Sequence, residues 1–329
     1  MSQLSHTEKM QLCLSGEILS RVPIAFWRHF PVDDQNPYTL AKSTINFQNT
    51  FDFDFIKVSP SSSFCLKDWG IRDKWNGNPE GTREYINKII DLPSDWLKLK
   101  PLNPTKGFLG QQLTCLKLLK KEYGDKTPII QTIFNPLSQA KNLIGKENLC
   151  NHLRLFPEQL KIALDRIVNI TLDFISECKK IGVDGIFYAV QHASAELLSY
   201  AEFIEFEKSY DLKVLEITRD LWLNVIHIHG NNIYFKGITD YPATIFNWHD
   251  RETSPSLSEG QKMFDGVVCG GLSRINSMVL GNSNRIKKEI NDARNQTGCR
   301  KFVLGTGCVL PVIVPYGNII AARNIIDKK

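Results

Sequence analysis

His227-Ile228-His229 is the densest concentration of chemistry in the sequence. Successive side chains of an extended strand point to opposite faces, so residues two apart share a face. Two imidazoles placed that way can hold one divalent ion. Cys308, in the run Thr306-Gly307-Cys308, offers a soft thiolate. His249 or a solvent molecule would complete a four-coordinate site of the kind zinc adopts. A His-x-His pair also describes two ordinary hydrogen-bonded residues; Cys308 adds weight to the metal. If both are ligands, Cys308 sulfur and a His229 nitrogen should stand roughly 3–4 Å apart.

Other polar residues belong with this group. Trp27-Arg28-His29-Phe30-Pro31 carries a guanidinium and an imidazole together. Arg28 reads as a carboxylate clamp or as a surface ion pair. Lys57 reads as a point charge assisting it or as part of an internal ion pair. His29, His192 and His249 are candidates for handling protons, although His192 also suits a satisfied wall position. Ser59, Gln191 and Thr306 are candidate substrate contacts. Asp33-Asp34 is a solvated turn or a proton-transfer pair, and Trp27 and Trp248 either pack internally or stack on a flat ligand.

These residues need elements to hold them. Eight β-rich runs alternate with amphipathic stretches: Val22 to Trp27, Asp54 to Val58, Pro128 to Phe134, Val183 to Val190, Leu223 to His227, Ala243 to Trp248, Phe264 to Cys269 and Lys301 to Gly305. Most are near-continuously apolar, as in parallel strands buried on both faces. Helices are expected from Pro37 towards Phe51, from Pro157 to Gly182, over Glu196 to Leu221, after the Ser256–Glu259 capping box, and over Ile286 to Arg294 and Ile319 to Ile326. The stretch from Ser59 to Thr127 exceeds a plain crossover. It reads as an insertion, with a short helix near Thr82 to Ile90 and another ending near Tyr123, and could cap the site. The pattern predicts an α/β fold: a single (β/α)8 TIM barrel over residues 1–329 with this insertion between strands 2 and 3. A doubly wound sheet is the alternative, but no G-x-G-x-x-G or G-x-x-x-x-G-K-[ST] occurs. Barrel active sites lie at strand C-termini. Five of the seven histidines fall there: His29, His192, His227, His229 and His249.

The 329 residues carry 40 Lys+Arg against 35 Asp+Glu, a formal charge of +5 with no long basic run, which argues against nucleic-acid binding. No apolar stretch is long enough to span a membrane, and the N-terminus lacks a signal-peptide layout. Eight scattered cysteines without a C-x-x-C suit a reducing cytoplasm.

The sequence resembles the uroporphyrinogen decarboxylase family. Arg21-Val22-Pro23-Ile24-Ala25-Phe26-Trp27-Arg28 is similar to its N-terminal R-x-P-v-x-f-x-R signature. Gly182 to His192 resembles its strand ending in a polar residue and His, and Phe302 to Pro311 its C-terminal glycine-rich turn. The resemblance runs from about Glu8 to Ile326 and implies a single barrel with the site at the strand C-termini. Its decarboxylases carry a second arginine after the position of Arg28, an Asp where this chain has Ser59 or Pro60, a Ser where it has Gln191 and a His where it has Thr306. Here these groups are replaced. The superfamily also holds zinc methyltransferases acting with corrinoid proteins and thiols. Their His-x-Cys pair and C-terminal Cys correspond to His227-x-His229 and Cys308. The resemblance thus implies a Zn2+-assisted methyl or one-carbon transfer, with a carboxylate-bearing or corrinoid-linked substrate. The alternatives are metal-free decarboxylation of uroporphyrinogen or another polycarboxylate, and non-catalytic tetrapyrrole or corrinoid binding. Expected partners are a small carboxylate or tetrapyrrole-like molecule and a corrinoid protein; a homodimer is compatible.

Overall fold

The computed structural model describes residues 4–327. Nine strands occur in it: β1 (Ile56–Val58), β2 (Asp73–Lys74), β3 (Glu84–Tyr85), β4 (Ile129–Phe134), β5 (Gly185–Val190), β6 (Val225–Ile228), β7 (Ile245–Trp248), β8 (Val267–Leu272) and β9 (Phe302–Thr306). Seven form one curled parallel sheet in the order β1-β4-β5-β6-β7-β8-β9. Every residue of these seven strands is buried, which explains why they lack polar alternation. Strand order follows chain order throughout. A doubly wound sheet needs a reversal point, and this sheet has none.

Helices connect the strands and bury one face each. Pro157–Ile181 covers the sheet with Leu160, Leu164, Ile167 and Ile175, and stops at left-handed Gly182. Asn36 caps Pro37–Phe51, and the Ser256–Glu259 capping box opens Leu257–Met263. Register fixes the neighbours that matter for the site. His227 of β6 lies beside Ala189 of β5 on one side and Asn247 of β7 on the other.

The first expected strand, Val22 to Trp27, is not a regular strand. It makes a single parallel bridge, Ile24 to Leu304 of β9. Pro23 has no N–H to donate. On the other side, the Ile24 N–H goes to the Asp54 carboxylate at 2.7 Å instead of to a backbone carbonyl. The Asp54 N–H returns to the Ile24 carbonyl at 2.8 Å. The segment is therefore bonded on both sides, half by ladder and half by a side chain.

Three further differences concern helices. The one expected near Thr82 to Ile90 is instead the β2–β3 hairpin, in which Asp73 pairs with Tyr85. Glu196 to Leu221 is helical only from Tyr200 to Glu216, with a π-helical stretch at Phe203–Lys208. Helices His6–Ser15, Pro136–Ile144 and Lys146–Leu155 were not anticipated. The first has a Ser5–Glu8 capping box, and the second is capped by Asn135.

Candidate metal centre

His227 sits on β6, His229 just beyond it, His249 just beyond β7 and Cys308 in the turn after β9. Their ligand atoms all lie within 4.8 Å of one another. His249 Nε2 is 3.3 Å from His229 Nδ1, and Cys308 Sγ is 3.9 Å from the same nitrogen. Two ligands of one tetrahedral zinc, bonded at about 2.0–2.3 Å, stand roughly 3.3–3.8 Å apart.

The orientation of the rings is set from behind. Both amide hydrogens of Asn247 are used, on the carbonyls of Cys269 (2.9 Å) and Thr306 (3.0 Å). Its oxygen therefore faces His227 Nδ1 at 2.7 Å and must accept a hydrogen bond from it. That leaves His227 Nε2 with its lone pair free. Glu252 does the same for His249, accepting from Nδ1 at 3.1 Å. Outward N–H groups held by a carboxylate or carbonyl are the usual support of ligating histidines. Gly307 brings Cys308 close. A Cβ at Gly307 would lie 2.6 Å from His249 Cα and 2.9 Å from the Trp248 carbonyl oxygen, so the turn can cross the end of β7 only with glycine there.

The electrostatics suit a cation. Burial would raise the Cys308 thiol, but Coulombic attraction to His227 and hydrogen bonds from His227, His229 and His249 outweigh it. The thiol is held well below its ordinary value. Burial lowers His227, whereas at His249 burial is outweighed by hydrogen bonds to Cys308 and Glu252, which raise it. A metal requires a thiolate and unprotonated ring nitrogens, and the thiolate is already favoured here. The donor set, two to three imidazoles and one thiolate at tetrahedral spacing, fits zinc.

The cluster faces a cavity of about 840 Å³. Trp27, His29, Lys57, Phe187, Gln191, His192, His227, His229 and Cys308 are among its walls. Phe187 stacks on His227 with centroids 5.4 Å apart, and Lys57 Nζ lies 4.6 Å from the Phe187 centroid. Burial pushes Lys57 down to about 7. Burial, with Lys57 adding to it, holds His29 at about 4, and burial with nearby Lys141 holds His192 at about 3. Both imidazoles are thus neutral near pH 7. They can accept a proton or present an N–H, but they do not store an imidazolium proton.

Three expected contacts lie elsewhere. Arg28 is not on the cavity wall; its guanidinium sits 5.7 Å from the Phe30 centroid and reaches the His29 carbonyl at 3.4 Å. Ser59 is buried behind the wall and accepts from Lys57 Nζ at 3.0 Å. Thr306 donates to the Cys308 carbonyl at 2.7 Å, so it shapes the turn and does not meet a ligand. Asp33 and Asp34 are also outside the cavity; Asp34 pairs with Arg83. Trp248 is fully buried and donates to the Pro255 carbonyl.

Residues of the Ser59–Thr127 connection form the opposite wall, including Ser62, Glu80, Arg83 and Tyr85. They are tied down. Arg83 bonds Asp73 at 2.9 Å, Tyr85 bonds Ser62 and Asn142 at 2.9 Å each, and Glu80 pairs with Arg274. Arg274 in turn approaches Glu252 at 3.7 Å. A chain of charges therefore links His249 to this wall.

The sequence profile of a family described as uroporphyrinogen decarboxylase matches residues 28–328. No curated protein sequence matches the chain. Among solved structures, a methyltransferase from Methanosarcina mazei is similar with a TM-score of 0.85 at 17% identity, covering 99% of each chain. A B12-independent methionine synthase from Shewanella sp. W3-18-1 is similar with a TM-score of 0.63 at 12% identity, covering 93% of this chain and 96% of its own. At such identities the likeness concerns the fold alone.

Proposed function

For a chain that belongs to the uroporphyrinogen decarboxylase family, we propose zinc-assisted transfer of a methyl or other one-carbon group, on a carboxylate-bearing or corrinoid-linked substrate. The observation that carries this is the grouping of four donor atoms within 4.8 Å, two of whose rings are locked from behind. Two proteins of similar structure, a methyltransferase and a methionine synthase, agree with it. We take residues 1–329 as one domain and the seven strands, closed by the Ile24 bridge, as a (β/α)8 barrel. Ser59–Thr127 is then an insertion that walls the cavity. Eight unpaired thiols suit the cytoplasm.

His227, His229 and Cys308 would hold the ion, with His249 either a fourth ligand or a proton acceptor beside it. Zinc there would lower the pKa of a bound thiol or water and so supply a nucleophile at neutral pH. The protein's own groups do the rest. Asn247 keeps the His227 lone pair inward. Trp27, Phe187 and Val309 line the cavity with apolar surface and exclude water. Neutral His29 and His192 accept a proton or donate a hydrogen bond to the substrate. Lys57, pushed down to about 7 by burial, can give up or take a proton near the reacting end. Decarboxylation of a polycarboxylate fits less well, because a neutral Ser59 bonded to Lys57 stands where a carboxylate is needed.

Metal analysis of the purified chain tests the proposal. About one zinc per chain is expected, falling below ~0.2 in His229→Ala. Wild-type protein that takes up no zinc on reconstitution would sink it. His249→Ala separates the two roles of His249: retained zinc makes it a proton acceptor, lost zinc a ligand.

A further inference from the structure

The cavity gathers lysines that have no carboxylate partner. Lys57, Lys88, Lys141 and Lys146 line it, and among the described residues none has a carboxylate oxygen within 4.0 Å. The other charged groups on the wall are mostly occupied. Arg83 is taken by Asp73 and Asp34, and Glu80 by Arg274. Glu196 accepts from Asn232 at 3.0 Å, and Glu147 pairs with no lysine.

Lys141 and Lys146 stand at one corner of this cavity. Lys141 lies in the last turn of helix Pro136–Ile144, Lys146 opens helix Lys146–Leu155, and Gly145, at φ +90°, turns the chain between them. The second helix starts with no side-chain cap, so its first N–H groups are unused by side chains. Lys141 Nζ finds only the Gln191 side-chain oxygen, at 3.5 Å. Next to Gln191, His192 is 96% buried by its 4% exposure, and its Nδ1 has no hydrogen-bond partner; the nearest carboxylate oxygen, on Glu207, is 3.9 Å away. Burial first, then the neighbouring Lys146, depresses Lys141 to about 8. The two lysines and the helix start have only the exposed Glu147, in the helix's first turn, as a nearby acid, and the neutral His192 ring has a nitrogen to spare for a hydrogen bond.

We propose that Lys141, Lys146, Gln191 and His192 form an anion subsite that takes the carboxylate or phosphate end of the substrate. Lys141, Lys146, Gln191, His192, His229 and Cys308 all line this one cavity. In that shared cavity the other end of a ligand anchored at the corner can reach His229 and Cys308. That last step rests on the proposed group transfer; the subsite itself does not.

Calorimetric titration of the purified full chain with succinate and with inorganic phosphate, with and without added zinc, tests the subsite. At least one anion should bind under both conditions. Lys141→Met with Lys146→Met should weaken it about tenfold or more, while Lys141→Arg with Lys146→Arg retains it. The arginine pair also shows that lost binding is lost charge and not a lost fold. No binding of either anion to the wild type, or equal binding by the methionine pair, overturns the subsite. A second arm follows the cobalt–thiolate absorption of Co2+-loaded protein titrated with 3-mercaptopropionate and 2-mercaptoethanol. Tighter binding of the charged thiol, abolished in the methionine pair, supports the link to the cluster. Equal affinities overturn that link. Failure to bind cobalt at all counts against the metal centre and leaves the anion result standing.

Discussion

Asn247 spends every hydrogen-bonding group it has. Two bonds go to backbone carbonyls of β8 and β9, and its oxygen accepts a hydrogen bond from His227. Asn247→Ala should therefore leave the ligands in place and weaken zinc binding by about 10–100-fold, measured by chelator competition. Gly307→Ala should displace the Cys308 turn and lower zinc affinity, with little change at His227. The ligands themselves were legible: His-x-His spacing names a strand face, and a cysteine in a glycine-rich turn names a loop end. Asn247 and Glu252 were not. Whether Asn247 sits beside His227 depends on strand register, which no local pattern encodes. Arg28 illustrates the opposite limit. Its position in the chain is at a strand end, but the backbone after Trp27 turns its guanidinium over Phe30.

The π-helical stretch Phe203–Lys208 belongs to the element scale. Glu207, fully buried within it, accepts from the His192 backbone N–H at 3.0 Å and from Asn135 at 2.6 Å. One turn on, buried Asp211 accepts from the hydroxyls of Tyr188 and Tyr241, both at 2.8 Å. Burial holds both carboxyls above their ordinary range, Asp211 at about 7, and repulsion from Asp211 adds to the rise at Glu207. This pair fixes the β5 end that presents Gln191 and His192 to the cavity. Asp211→Ala leaves two buried hydroxyls without an acceptor and should cost roughly 2–4 kcal/mol in denaturant melts. In the sequence these acids look like the wet side of an amphipathic helix, alternating with Phe203, Phe206 and Tyr210. A π-turn shifts the face by one residue, and nothing in the spacing announces it. The β2–β3 hairpin escaped notice for a similar reason: two-residue strands carry no periodicity.

At the scale of the molecule, two histidines at opposite ends of the sheet respond to pH in opposite senses. His6 loses to burial but gains more from hydrogen bonds to Asp52 and Asp54, and is raised to about 9. The stability it contributes is complete below its unfolded value of about 6.5 and is lost as pH rises to about 9. His192 is depressed to about 3. Its neutral form is the stable one, so stability is lost as pH falls from about 6.5 towards 3. Thermal melts across pH should show His6→Gln removing part of the alkaline loss and His192→Gln part of the acid loss, each judged against wild type. An unchanged profile in either variant would contradict the corresponding environment. The alternation of buried runs and helices made the sheet legible at this scale. The irregular first segment was harder to read, because its regularity is broken by Pro23 and by the Asp54 side chain.

That segment has a consequence for synthesis. Ile24 is bonded to Leu304, so this apolar run leaves the ribosome some 280 residues before its partner. At roughly 5–20 residues per second, the intervening 280 residues take about 14–56 s to appear. During that interval the β9-facing edge of Val22–Trp27 is open to pairing with other nascent chains. Helix His6–Ser15, whose Lys9 and His6 hold Asp54, is available throughout and can keep that segment beside β1 until its partner arrives.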